Sequence, residues 1–282
     1  MAGGLPKQRD SVGASDSRDV ASRWRRGAAV RADALGPLTD AMFELAGVTV
    51  GSRVLDVGAG TGDQTVLAAH RVGPSGAVLA TDVSASMLQV ARDAVREAGL
   101  GNVQTRTLAA EQMSELEARS FDAAIARFSL QFVGDVGRAL AGVRRALKPG
   151  GRFAAVVFSA VEKNPFRAAP QAIASRLAGR PFPEPGPGQW ALSDPVILRE
   201  AFQRAGFIAV DVRTVPFVYR FPSLTDALSH SEEQPQFVKL LDSLSETARV
   251  AARIELESAF QAFGGPDGFE APSEALIAAG TA

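Results

Sequence analysis

The sequence predicts an α/β fold in which a doubly wound parallel sheet carries helices on both faces. Three observations lead there. From Arg53 to Phe158, short apolar strands alternate with helical stretches through brief connections. The first of these strands runs straight into a glycine-rich turn and a helix. Hydrophobic residues make up 46% of the 282, enough to bury a sizeable core.

Residues 1–19 are polar, rich in Ser and Asp and without periodicity, and predict a disordered arm. A helical pattern follows over about 20–46, with Leu38, Met42, Phe43 and Leu45 on one face and a break expected at Gly36-Pro37. Strands are then expected at 54–57, 77–81, 103–107, 123–126 and 153–158, and helices at 63–72, 84–98 and 136–147. Lys148-Pro149-Gly150-Gly151 reads as a turn. Beyond Phe158 the pattern changes to a helix near 165–177, a Pro/Gly-rich loop at 180–189, a helix at 194–205, a strand at 207–212 and an apolar strand-like stretch at 215–221. Residues 223–263 read as mostly helical, and 275–279 as a final strand. The chain therefore divides into the arm and one domain over 20–282. Within it, 47–158 forms a ligand-binding core, while 159–192 and 221–270 are insertions that cap the sheet.

Composition removes several functions. The net charge is −1, so no single-sign field draws the chain to nucleic acid or anionic lipid. The basic groups Arg23, Arg25 and Arg26, and Arg144, Arg145 and Lys148, read as solvated helix faces. There is no cysteine, and histidine occurs only at His70 and His230, which leaves no thiol chemistry and no metal site to expect. The N-terminal residues lack an apolar core like that of a secretory signal, and no apolar run is long enough to span a bilayer. A cytoplasmic protein with no membrane span and no nucleic-acid partner is expected.

The most informative stretch is Val54-Leu55-Asp56-Val57-Gly58-Ala59-Gly60-Thr61-Gly62. Glycines permit tight turns and close ligand approach, and the following helix start offers free N–H groups. A dinucleotide fingerprint needs its third glycine at position 63. That residue is Asp63, a negative charge where a diphosphate would dock, and the glycine falls at Gly62 instead. The loop therefore suits a ligand without a diphosphate. The second strand ends at Asp82, at the carboxyl edge where such sheets bind ligands. A carboxylate there can accept both hydroxyls of a ribose, or alternatively cap the helix that starts near Ser84.

These residues resemble motif I and its acidic partner in class I S-adenosylmethionine-dependent methyltransferases, in the branch of the ubiquinone/menaquinone C-methyltransferases (methyltransferase type 11). Asp82-Val83-Ser84-Ala85-Ser86-Met87-Leu88 is similar to that branch's D-x-S-x-x-M-L segment, Phe121 to Phe128 to its motif IV strand, and Arg145 to Gly151 to its R-x-L-K-P-G-G turn. The likeness covers about residues 50–158. It implies a Rossmann-like sheet of seven strands with the last antiparallel, and S-adenosyl-L-methionine as cofactor, leaving S-adenosyl-L-homocysteine as product. It also implies cofactor contacts. Gly58, Ala59 and Gly60 would pass beneath the methionyl part, with Asp56 and Gln64 close by. Asp82 would hold the ribose, and Val83 and Met87 would flank the adenine. Ala110 and Glu111 would lie at the adenine edge, although Ala109 stands where the family has aspartate. Arg127 would offer its backbone carbonyl to the ammonium, with Phe128 and Phe132 nearby. Trp24 sits on the helix that closes over the cofactor in similar proteins.

The resemblance further implies methyl transfer to a small-molecule acceptor by direct displacement. A cofactor-binding module without catalysis, or an enzyme acting on a macromolecule, is the alternative. The acceptor pocket is expected from Phe128, Gln131, Phe158, Trp190, Tyr219 and His230. No catalytic residue is assigned. His230 and Tyr219 are the weak candidates for a base, although His230 reads more simply as an exposed helix histidine and Tyr219 equally well as a core residue. Asp63 and Glu162 read as structural.

Overall fold

A computed structural model describes residues 28–266 and 268–282. Its centre is one sheet built from β1 (Arg53–Val57), β2 (Ala77–Asp82), β3 (Val103–Thr107), β4 (Phe121–Arg127), β5 (Leu147–Phe158), β6 (Ile208–Phe221), β7 (Gly264–Gly265) and β8 (Gly268–Thr281). The spatial order is β3-β2-β1-β4-β5-β8-β6, with the two-residue β7 folded back onto β8. β1 to β5 run parallel, and β8 is antiparallel to both of its long neighbours, β5 and β6. The doubly wound sheet, its seven long strands and the antiparallel last strand are as expected. Chain order reverses between β1 and β4, which opens a crevice at their carboxyl ends.

The helices are α1 (Ala28–Ala46), α2 (Asp63–Val72), α3 (Ala85–Glu97), α4 (Val136–Ala146), α5 (Pro165–Leu177), α6 (Pro195–Arg204), α7 (Leu224–Glu232), α8 (Pro235–Asp242) and α9 (Glu246–Phe260). Successive strand side chains face opposite ways, so the sheet feeds two cores. Val54, Val78, Ile125 and Val156 pack with Leu38, Met42 and Phe43 of α1 and Val72 of α2. Leu55, Ala124 and Phe153 pack with Leu140 and Val143 of α4 and Leu198 and Phe202 of α6. Burial on both faces is why these strands read as apolar runs without alternation.

Four expectations need correction. The break at Gly36-Pro37 does not occur, and α1 is continuous. Pro37 is exposed, so the carbonyl it leaves unpaired, that of Asp33, lies on the exposed side, while Leu35, Leu38 and Met42 anchor the turns around it. Residues 147–151 turn at Gly150 (φ +80°) yet already belong to β5, through a register shift against β4. The strand expected at 207–212 and the strand-like stretch at 215–221 form one continuous strand, and the strand expected at 275–279 begins at Gly268. Beyond the end of β5, β6 and β8 continue as a two-stranded ribbon pairing Pro216 with Glu274 through to Phe221 with Phe269. Phe217, Tyr219 and Phe221 share one face of this ribbon and meet the cap helices. Phe166 of α5 lies 4.9 Å from Tyr219, and 5.2 Å from Phe221 and from Phe260 of α9, ring centre to ring centre. The arm at 1–19 and the expected helical residues 20–27 lie outside the described residues.

Candidate functional site

The loop after β1 owes its path to its glycines. The N–H groups of Gly58 and Ala59 both donate to Thr81 O, at 2.9 and 2.8 Å, tying β1's end to β2's. Gly58 has φ +72°, and a Cβ there would lie 2.4 Å from Ser129 Cβ. Gly62 has φ +87°, and its Cβ would lie 2.8 Å from Ala91 Cβ of α3. Only glycine fits either position. Gly60, by contrast, faces open space, with Met87 Cε at 3.9 Å as the nearest atom to an added Cβ.

Two carboxylates organise this loop. Asp56 is fully buried, with Oδ1 accepting from Gln64 Nε2 (2.8 Å) and Oδ2 from Thr65 Oγ1 (2.6 Å). Burial raises its pKa to about 6, although the bonds from Thr65 and Gln64 and the nearby Arg127 pull the other way. Asp82 accepts from Gly60 N–H (2.9 Å) through Oδ2 and from Ser84 N–H (2.8 Å) through Oδ1. The cap of α3 is Ser84, whose Oγ accepts from Met87 N–H. Each Asp82 oxygen thus holds one donor and keeps a lone pair in hand.

A cavity of about 470 Å³ lies over the carboxyl ends of β1, β2 and β4. The structure brings Gly58, Ala59, Gly60, Gln64, Asp82, Val83, Met87, Ala110, Glu111, Arg127, Phe128 and Phe132 onto its wall, together with Gln131, Phe158, Tyr219 and His230. Val83 and Phe132 are exposed and mark its mouth. Asp56 does not reach the cavity, because the bonds to Gln64 and Thr65 hold it beneath the loop. Trp190 is not on the wall either. It backs Phe158, 5.8 Å away between ring centres, which in turn stacks on Phe128 at 4.2 Å. Phe128 holds φ +54°, an unfavourable conformation fixed by its N–H bond to Val156 O. The Glu111 carboxylate accepts from Gly134 N–H at 2.9 Å. Trp24 lies outside the described residues.

Two readings of the sequence change. Asp63 is not merely structural: it lines the cavity and pairs with Arg31 of α1 at 2.9 Å. His230 is not an exposed helix residue but sits half-buried on the wall, with Gln234 Nε2 3.0 Å from its Nε2. Burial, helped by the charges of Arg167 and Arg31, pushes its pKa down to about 4, so the ring is neutral near pH 7. Burial likewise pushes the Tyr219 phenol up, with Arg167, Arg127 and Arg31 opposing. Arg127 donates to Thr39 Oγ1 at 2.6 Å, and burial lowers its pKa. Among the wall residues that sequence reasoning missed are Arg31, Arg167, Gln189 and Gln234. Each is a lone polar residue on a helix or loop, and nothing in its local sequence marks it.

A glycine loop and a carboxylate on neighbouring strands, facing a cavity at the switch point, define a small-ligand site on a doubly wound sheet. The family model that matches residues 38–179 is described as the ubiE/COQ5 methyltransferase family, and the chain belongs to it. The Teredinibacter turnerae "Ubiquinone/menaquinone biosynthesis C-methyltransferase UbiE" is 44% identical over 118 residues, 42% of this chain and 47% of that protein. The chain thus spans about half the length of the curated relatives it matches. Two solved structures share the fold. YcgJ from Bacillus subtilis has a TM-score of 0.57 at 22% identity, over 86% of this chain and 97% of its own. Haemonchus contortus phosphoethanolamine N-methyltransferase 2, solved with phosphomonomethylethanolamine and S-adenosylhomocysteine, has a TM-score of 0.58 at 20% identity, over 96% of this chain and 60% of its own. Among the described residues, no helix is long and apolar enough to cross a membrane, and no cluster of His, Asp and Glu side chains is arranged to hold a metal.

Proposed function

We propose that the chain is an S-adenosyl-L-methionine-dependent methyltransferase that moves a methyl group to a small-molecule acceptor by direct displacement. The observation that carries this reading is one cavity lined both by the glycine loop with Asp82 and by the apolar group Phe128, Phe158 and Tyr219 with His230. The residues fit the cofactor. Gly60 presents backbone with no side chain in the way, Asp82 keeps acceptor capacity for ribose hydroxyls, and Val83 and Met87 offer apolar flanks for a base. Arg31, held beside the loop by Asp63, is placed for the methionyl carboxylate. Glu111 is committed to Gly134, which leaves backbone near Ala110 for the adenine edge.

When bound, S-adenosyl-L-methionine supplies a methyl group on a sulfonium, already activated for transfer. The protein's own work is alignment and exclusion of water. Holding an acceptor in line can remove on the order of 7–11 kcal/mol of barrier. Neither His230 nor Tyr219 is a strong base at neutral pH: the imidazole binds protons only near pH 4, and the phenol is held in its protonated form. The acceptor atom must therefore arrive nucleophilic or readily ionised. The core at 47–158 binds the cofactor in this reading, and the insertions at 159–192 and 221–270 shape the acceptor end. Balanced net charge favours a small organic acceptor over nucleic acid, and a chain without cysteine suits the cytoplasm.

Calorimetry with S-adenosylhomocysteine and with NAD tests the reading. The first should bind and the second should not. Asp82→Ala should weaken S-adenosylhomocysteine at least about tenfold, the loss of two hydrogen bonds to a charged group. Unchanged affinity would remove Asp82 from the ribose.

A further inference from the structure

We propose that the acceptor is a planar organic carboxylate whose charged oxygens dock on Arg167. This rests on the methyl-transfer reading and narrows it to a substrate class.

Arg167 reaches the cavity wall from α5, with its guanidinium 5.6 Å from the centre of the Phe158 ring. Nη1 donates to Gln234 Oε1 at 2.6 Å and Nη2 to Gln189 Oε1 at 3.2 Å, while Nε has no partner among the described residues. A guanidinium carries five N–H donors, so most of its capacity is unused. Both acceptors are neutral amide oxygens. Among the described residues, no carboxylate pairs with Arg167, and the one group that opposes its loss of charge is Tyr219. The other two arginines on the wall differ. Arg31 is paired with Asp63, and Arg127 lies in the fields of Asp63 and Asp56. Of these three wall arginines, Arg167 is the one that no carboxylate of the described residues compensates.

Arg167 is half-buried with its Nε fully covered, and a cation so placed without a counter-charge is costly to hold, a cost that an anionic ligand would relieve. Two neighbouring amides point the same way. Among the described residues, Gln189 Nε2 has no partner, and Gln131, fully buried on the same wall, has none for either side-chain polar atom. A carboxylate answers the donors of this set, because it accepts from a guanidinium and from amide N–H groups at once. The stacked Phe128 and Phe158, with Tyr219, form flat apolar walls suited to a planar body. A neutral phenol or amine would fill those walls and leave Arg167 unanswered.

The test is calorimetry on the full chain saturated with S-adenosylhomocysteine, titrated with matched acids and amides: benzoate and benzamide, naphthoate and naphthamide, phenylacetate and phenylacetamide. At least one carboxylate should bind about tenfold or more tightly than its amide. Arg167→Gln should abolish that difference, and Arg167→Lys should retain part of it through charge alone. Both variants should bind S-adenosylhomocysteine as the wild type does, which reports an intact fold. The proposal is overturned by equal affinities within every pair, by no carboxylate binding, or by a preference that survives Arg167→Gln. If S-adenosylhomocysteine itself failed to bind, the methyl-transfer reading would fall as well, so the two failures are told apart by that first titration.

Discussion

Replacing Asp56 by asparagine removes a charge that the fold holds at a cost. The carboxyl is wholly buried, and its pKa lies at about 6 against an ordinary 3.8. The sign follows from proton binding. Between these two values the folded protein keeps the proton that the unfolded chain has already released. Stability from this group is therefore complete below about pH 4 and is lost as the pH rises through 6. A difference of about two pKa units corresponds to about 3 kcal/mol. The variant has no such group to ionise. Its contacts with Gln64 and Thr65 differ from those of the acid by an offset that does not vary with pH. Urea unfolding of both proteins at intervals from pH 4 to 7.5 should show the variant gaining about 3 kcal/mol relative to the wild type over that range. Other titrating groups, His230 among them, cancel in the difference. A gap that stays constant with pH would refute the reasoning, since it would mean that Asp56 ionises as it does in the unfolded chain.

Two further substitutions test the frame around the site. Gly62→Ala places a methyl against Ala91 at a backbone angle only glycine tolerates, and should cost about 2–4 kcal/mol in urea unfolding; a cost below about 1 kcal/mol would show that α2 and α3 can separate freely. Phe166→Ala opens the centre of the aromatic cluster between α5, α9 and the β6–β8 ribbon, and should destabilise by about 3–5 kcal/mol with a matching fall in thermal midpoint.

What could be read from the sequence divides along a physical line. The glycine loop, Asp82 and the Ser84 cap are local: their function lies in backbone angles and in spacing along a single connection, and these are written in consecutive residues. Parallel strands buried on both faces read as short apolar runs and were recognisable as such. The other polar residues of the cavity wall are assembled differently. Arg31, Arg167, Gln189 and Gln234 come from three helices or their flanks and one loop, and meet only through tertiary packing. His230 stands among Ser and Glu residues and so looks solvated, yet α7 lays it against Phe221 and Phe166. Trp190 looked like a pocket residue by its type, but the stacked pair Phe128 and Phe158 takes the wall in front of it. Of the β6–β8 ribbon, the stretch 215–221 is legible through the alternation of Phe217, Tyr219 and Phe221, whereas its partner residues 268–274 hold few apolar side chains and a proline, Pro272, and do not read as a strand.

The most direct measurement is a crystal structure of the full chain grown with S-adenosylhomocysteine. The account predicts the homocysteine moiety beside Gly58 to Gly60, the ribose hydroxyls on Asp82, and the sulfur turned toward Phe128 and Tyr219. A nucleoside bound elsewhere, or well-ordered crystals in which this cavity holds only solvent at saturating ligand, would contradict it.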